Sequence, residues 1–275
     1  MKIRYLGTAA AEGAPALFCT CAQCMQARAT GGRDIRSRSQ TLLNDDLIID
    51  FSADAYWHGL RYGIEYYNIH DYLITHVHSD HYYPMDLDNV DRPYAKNPED
   101  WPPFIVHGSI DDENEFMRVV RRRPEHLVFH AMDAYKTYEI GRYRVTPLRA
   151  RHGSENPFHY VIEDGEKTLL YLHDGGEPFD ETFECFRKKG FRFDVISYDF
   201  TEGLMESIDY YGHMCMGQNK ALRARLQTEG FLNEGCISVA NHFSHGGKCI
   251  NWEESHELYE KEGFIMTYDG CEVEV

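Results

Sequence analysis

The stretch "THVHSDH", Thr75 to His81, decides the reading of this chain. Three histidines and an aspartate crowd into the six residues from His76 to His81. They directly follow "DYLI", a short apolar run that, with Thr75 and His76, reads as a strand ending at the cluster. A metal ion needs several lone-pair donors converging on one point, and zinc and similar ions accept imidazole and carboxylate. His76 and His78 are two apart, so if extended geometry persists both rings project to the same side. Asp80 and His81 then sit on the following turn and reach a second point nearby. The spacing therefore offers two ligands to each of two adjacent ions. A lone His-x-His would pass for part of a polar loop; four ligand-type side chains after an apolar strand do not.

Composition narrows the setting. The chain has 275 residues, 43% of them hydrophobic, enough for a substantial core in one large domain or two small ones. Lys and Arg total 28 against 45 Asp and Glu, a net charge of -17 that repels large nucleic acids and leaves small molecules as the expected partners. No apolar run reaches the length of a membrane span, and "MKIRYLGTAA" reads as a first strand rather than a secretory signal, so a cytoplasmic protein is expected. Eight cysteines are too few for a disulfide scaffold in a chain this long.

Strand patterns appear in "KIRYLG", "TLLNDDLIIDF" (two strands about an Asn-Asp-Asp turn), "PFIVHG", "HLVFH", "YRVTPLRA", "HYVIED", "TLLYLHD" and "FDVISYD". "GFIMTYDGCEVEV" reads as a hairpin turning at Asp269-Gly270. Helical periodicity marks Asp112–Arg122, Asp180–Lys189, Met216–Thr228 and Trp252–Glu262. The first of these has "DDENE" at its start and "RRR" at its end, which complements the helix dipole on a solvated helix. Strands in blocks with helices between them suggest an α/β sandwich of two mixed sheets. The aromatic and proline-rich stretch "YYPMDLDNVDRPYAKNPEDWPPF" reads equally as a wall over a site and as a surface excursion.

A second cluster lies upstream. Cys19, Cys21 and Cys24 form Cys-x-Cys-x-x-Cys, and three thiolates leave one vacancy in a tetrahedral zinc site. Separate buried thiols and a redox pair are the alternatives; the compact spacing favours structural zinc, with a fourth ligand from elsewhere. Cys185, Cys215, Cys236, Cys249 and Cys271 are scattered and read as ordinary residues.

"THVHSDH" resembles the His-x-His-x-Asp-His signature of the metallo-β-lactamase superfamily. The resemblance implies an αββα sandwich of two mixed β-sheets flanked by helices, here one domain over residues 1–275 with a zinc loop near 19–24. It implies further ligands in a fixed order: His152 in "RARHG", Asp174 in "YLHDGG" and His242 in "VANHFSH". His76, His78 and His152 would then hold one ion, Asp80, His81 and His242 the other, with Asp174 bridging. His173 is read as a strand residue facing away. An Asp at the place of Asp50 supports the histidine loop in that family.

"GTAAAEGAPALFCTCAQCMQAR" is similar to the N-terminus of the phosphoribosyl 1,2-cyclic phosphate phosphodiesterase subgroup, and to hydrolase-like proteins of pyrroloquinoline-quinone biosynthesis. There a late His-x-x-His serves both sites, and His242-Phe-Ser-His245 matches it, so His245 becomes the fourth structural ligand. The resemblance implies two active-site Zn or Mn ions, a structural Zn, a homodimer, and hydrolysis of a small, cyclic or acyclic, phosphate ester by a hydroxide held between the two ions. Asp80 and His213 are the expected catalytic side chains, His213 from its place in "GHM" before a helix. Other readings are a tRNA-processing ribonuclease, a lactone or thioester hydrolase, and a non-catalytic metal-stabilised binding protein. "HDGG" and "SHGGK" depart from the family pattern and leave the substrate open.

Overall fold

A computed structural model describes residues 1–98, 100–122 and 124–275. Glu99 of the aromatic stretch and Arg123, the last arginine of "RRR", lie outside the described residues. Two sheets of seven strands each face one another. The first comprises β1 (Lys2–Gly7), β2 (Gln40–Leu43), β3 (Leu47–Ile49), β4 (Asp71–Leu73), β5 (Phe104–Gly108), β6 (Leu127–Ala131) and, beside β1, β14 (Cys271–Glu274). The second comprises β7 (Tyr138–Ile140), β8 (Tyr143–Arg149), β9 (Phe158–Glu163), β10 (Thr168–Tyr171), β11 (Phe193–Asp199), β12 (Leu232–Asn241) and β13 (Ile265–Met266). In each sheet one half is antiparallel and the other parallel: β3-β4-β5-β6 in the first, β10-β11-β12-β13 in the second.

The period-two pattern of the strands sorts their side chains into three apolar layers. Leu47 and Ile49 of β3 meet Tyr160 and Ile162 of β9 and Leu169 and Tyr171 of β10 between the sheets. The alternate residue Ile48 faces the helix side of its own sheet, as Val161 and Leu170 do on the other. Both faces of each sheet are thus buried, which is why these strands read as nearly continuous apolar runs. The outer layers are closed by α2 (Ala55–Tyr62) and α3 (Ile110–Val119) on the first sheet, and by α4 (Asp180–Lys189), α5 (Met216–Thr228) and α6 (Trp252–Lys261) on the second. This is the expected αββα sandwich. Among the described residues no helix is long and apolar enough to cross a membrane.

Four local expectations are corrected. The C-terminal segment is not a hairpin: β13 adds in parallel to β12, whereas β14 pairs antiparallel with β1, so the turn at Tyr268–Gly270 carries the chain from one sheet to the other. β4 stops at Leu73, before the histidines, because Thr75 leaves the ladder to bond Asp50. α3 starts two residues early because Ser109 caps it: Ser109 Oγ accepts from Asp112 N at 3.3 Å and Asp112 Oδ2 accepts from Ser109 N at 2.7 Å. It ends at Val119, ahead of the arginine run, with Arg118 in its last turn. α1 (Ala22–Thr30) and α2 escaped the periodicity analysis, α1 because only Cys24 and Ala27 are buried and α2 because Tyr56, Trp57 and Leu60 point to solvent.

Within the stretch from Tyr82 to Phe104, Leu87 and Val90 pack against Phe51, Tyr72 and Phe104 on the helix side of the first sheet. Its apolar residues there belong to the outer layer of the first sheet.

Candidate metal centre

The parallel halves of both sheets end at one edge, and the ligand-type residues sit just past those ends: Asp50 after β3, His76 after β4, Asp174 after β10, Asp199 closing β11 and His242 after β12. Asp50 organises the histidine loop. Its Oδ1 accepts from Thr75 N and Thr75 Oγ1, both at 2.8 Å, and its Oδ2 lies 2.6 Å from His81 Nδ1. The chain then turns, with His81 N and Tyr82 N bonding His78 O. The rings of His76 and His78 meet at 4.5 Å between centroids through this turn rather than through continued strand geometry. Asp50 and His242 both hold positive φ, 64° and 63°, a backbone region that costs a non-glycine residue on the order of 1 kcal/mol.

The structure brings the side chains of the candidate ligands close together. One donor atom from each of His76, His78, His152 and Asp174 lies within 4.8 Å of the others, and the same holds for Asp80, His81 and His242. Individual donors stand 3.0 Å apart (His152 Nε2 to His78 Nδ1), 3.2 Å (His152 Nε2 to Asp174 Oδ2, and His81 Nε2 to His242 Nε2) and 3.3 Å (His81 Nε2 to Asp80 Oδ2). Tetrahedral ligands at zinc-like bond lengths are about 3.3 Å apart, so the spacing suits an ion at each group. Asp174 Oδ2 also lies 3.8 Å from both His81 Nε2 and His242 Nε2, between the two groups. His76 Nε2 is buried without a hydrogen-bond partner, which is costly unless something else takes its lone pair.

The electrostatics divide the histidines of the cluster. Burial and four neighbouring histidines hold His76 well below the usual histidine range, so it is neutral with a free lone pair. Burial works against charge on His81 as well, but Asp50 and Asp80 outweigh it and raise its pKa. His173 turns away from the cluster as expected, although it lies past the end of β10 rather than on it: Nε2 meets Ser197 Oγ at 2.8 Å and Nδ1 meets Asn241 Nδ2 at 3.2 Å.

Asp199 was missed at the sequence level, and it is central. It closes the apolar strand "FDVISYD", the same strand-end signal that singles out Asp50 and Asp174. Its carboxylate accepts from Thr201 N at 3.0 Å, Met214 N at 3.1 Å and Gly175 N at 3.3 Å. It also stands 3.4 Å from the Nδ1 atoms of His213 and His242. Asp199 thereby ties the loop after Asp174, the approach to α5 and the last histidine to one anchor. His213 reaches the centre too: Nδ1 is 2.7 Å from Asp174 Oδ1, off the line of a hydrogen bond. Burial alone would lower the pKa of His213, but the carboxylates of Asp174 and Asp199 raise it to about 11.

The cysteine cluster forms a separate site. Donor atoms of Cys19, Cys21, Cys24 and His245 lie within 4.8 Å of one another. His245 Nδ1 stands 3.4 Å from Cys19 Sγ and 3.6 Å from Cys21 Sγ, close to the ~3.6 Å of sulfur and nitrogen on one tetrahedral zinc. Backbone pairing binds the N-terminal loop to the segment between the two sites: Phe243 N bonds Thr8 O at 2.9 Å and Ala10 N bonds Phe243 O at 3.0 Å.

A sandwich of two mixed sheets with histidine and aspartate donors gathered past the strand ends defines a metal-binding hydrolase fold. A sequence model of the beta-lactamase superfamily domain matches residues 65–230, and the chain belongs to the metallo-β-lactamase superfamily. No curated protein sequence matches it. Among solved structures it is similar to Zn(2+)-bound PqqB from Methylobacterium extorquens, with a TM-score of 0.78 and 18% identity over 100% of both chains. It is also similar to a diphosphatase of the PhnP family (TM-score 0.71, 18% identity, 100% of this chain and 97% of the other). Human tRNase Z, short form, is a third (TM-score 0.67, 15% identity, 100% and 99%).

Proposed function

We propose that this protein is a metal-dependent phosphodiesterase acting on a small phosphate ester. The observation that carries the reading is the pair of donor groups meeting at Asp174, with one carboxylate oxygen 3.2 Å from His152 and 3.8 Å from both His81 and His242. His76, His78 and His152 would hold one divalent cation, Asp80, His81 and His242 the second, and Asp174 both. Two adjacent cations of this kind, when bound, supply a nucleophile from water at neutral pH and a clamp for the oxygens of a phosphoryl group.

The remaining work falls to the chain. Asp50 and Asp199 orient the histidines through their second ring nitrogens. His213, positively charged beside Asp174 and Asp199, is placed to steady the anionic phosphate and to give a proton to the departing alkoxide oxygen. The net charge of -17 favours a small ester over RNA. One structurally similar protein is a diphosphatase, which fits chemistry at phosphorus. Cys19, Cys21, Cys24 and His245 would hold a structural zinc that pins the N-terminal loop beside His242.

The test is hydrolysis of bis(p-nitrophenyl) phosphate by protein loaded with Zn or Mn, with His76→Ala and Asp174→Ala as controls. Turnover that both variants abolish supports the reading. Absence of turnover with either metal removes it in favour of a lactone or thioester substrate or a binding role.

A further inference from the structure

On the helix side of the first sheet lies a cavity of about 570 Å³, and among the described residues none of the metal donors lines it. Phe51, Tyr72 and Phe104 reach it from the outer apolar layer, and Tyr56 of α2, Tyr66, Tyr67 and Asp86 stand around it. Its size is that of a small-molecule site. Backbone pairing fixes its inner wall: Phe51 N bonds His81 O and Tyr83 N bonds Phe51 O, both at 2.7 Å.

Aromatic carbon dominates that wall. Phe51 stands nearly perpendicular to Tyr66 (79°, centroids 5.8 Å apart) and to Tyr72 (82°, 5.7 Å), so the three rings form corners rather than a stack. The hydroxyls of the two tyrosines are taken: Tyr66 Oη donates to Gln40 Oε1 at 2.7 Å and Tyr72 Oη to Tyr66 O at 3.3 Å. These rings therefore offer a ligand their π-systems and no free O–H donor. The face of an aromatic ring is its negative pole and attracts a cation within about 6 Å, most strongly where water is excluded.

The formal charge of the wall has the same sign. Asp86 is its only charged side chain, and among the described residues no Lys, Arg or His lines the cavity. Among those residues the Asp86 carboxylate makes no hydrogen bond or ion pair, and partial burial, opposed by no partner, raises its pKa. An anion in the cavity would meet this carboxylate and the ring faces, both repulsive. A neutral apolar molecule would strip further water from Asp86 without replacing it. A cation satisfies the carboxylate and the rings together.

We propose that this cavity is a binding site for a small organic cation, with an alkylated ammonium group seated among the rings of Phe51, Tyr56, Tyr66 and Tyr72 and with Asp86 as its counter-ion. Alkylation suits the wall: the alkyl groups meet aromatic carbon, where a bare ammonium would give up hydrogen bonds to water. The site is separate from the metal centre, and no bond is made or broken in it.

The experiment uses two probes of one shape, choline and 3,3-dimethylbutan-1-ol, which differ by a charged nitrogen in place of carbon. Both are titrated into the zinc-loaded full chain, and binding is followed by NMR at the methyl groups of Leu87 and Val90, which line the cavity. Choline should shift these methyls saturably, with a Kd about tenfold below that of the neutral probe. Asp86→Asn and Tyr56→Leu, both at exposed positions, should each cut this ratio by about threefold or more. Equal affinity for the two probes, shifts confined to the metal centre, no saturable binding of choline, or a ratio that survives both substitutions overturns the proposal. Neither probe is a phosphate ester, so the outcome is independent of the phosphodiesterase reading.

Discussion

The carboxylate of Asp50 holds His81 at 2.6 Å with one oxygen and Thr75, at the mouth of the histidine loop, with the other. One buried side chain thus sets both the position of the loop and the ring nitrogen that His81 presents. Asp50→Ala should weaken metal affinity about 10–100-fold. Competition against a chelator of known affinity measures it, and unchanged affinity would show that the loop holds its shape without Asp50.

Asp199 accepts from three backbone N–H groups drawn from three segments. Asp199→Ala leaves them unpaired in the interior, so a loss on the order of 3 kcal/mol or more is expected. Urea unfolding reads this directly. A change within experimental error would mean that water takes over the three donors.

His213 touches the centre from the approach to α5, where Met214 N is already held by Asp199. His213→Ala should cut turnover of a diester by about 10²–10⁴ with metal content unchanged. Loss of metal in this variant would instead make His213 a ligand, as its place within 4.8 Å of Asp174, Asp199 and His242 donors permits.

Cys21 is the exposed member of the cysteine cluster, and its thiol sits at about 6, lowered by hydrogen bonds from the Cys24 backbone and from His245. Cys21→Ser should lose about one zinc per chain and lower Tm, because a structural zinc contributes to folding. Elemental analysis that finds the native metal content would remove the site.

His58 is buried between Ser37 Oγ at 2.7 Å and Gln40 Oε1 at 2.8 Å. Burial, with Arg61 adding to it, lowers its pKa from 6.5 to about 4. The unfolded chain therefore takes up a proton at a pH where the folded chain does not. Stability from this group is complete above pH 6.5 and is lost as the pH falls toward 4, by roughly 3 kcal/mol in all. His58→Gln should flatten the fall in stability between about pH 6.5 and about pH 4 relative to the native protein. Parallel slopes would place the acid sensitivity elsewhere.

Much of this site was legible in sequence because its residues follow a local rule. His76 to His81 fill one turn and are legible from residue types alone, whereas Asp50, Asp174 and His242, each past an apolar strand, were located by the order that the superfamily resemblance implies. Asp199 obeys the same rule and was still missed, since a strand-end aspartate looks the same whether it anchors three loops or simply meets solvent. Arg149 carries no signal at all: on the exposed end of β8 a guanidinium is unremarkable until Phe179, thirty residues away in sequence, is seen beneath it. The C-terminal hairpin failed for a related reason. "IMTYDGCEVE" has the alternation and turn of a hairpin, but backbone donors pair with whichever edge is open, and the edges of β12 and β1 were both waiting.

By itself the sequence determined an α/β sandwich of two mixed sheets, through strand-length apolar runs with helical patterns between them, and the ligand types, through residue chemistry that no fold can change; the αββα class came with the superfamily resemblance. Tertiary structure alone decided which donors meet and which carboxylates orient them. Those are matters of distances of 3–4 Å between residues up to 161 positions apart, set by how the two sheets bring their strand ends to one edge.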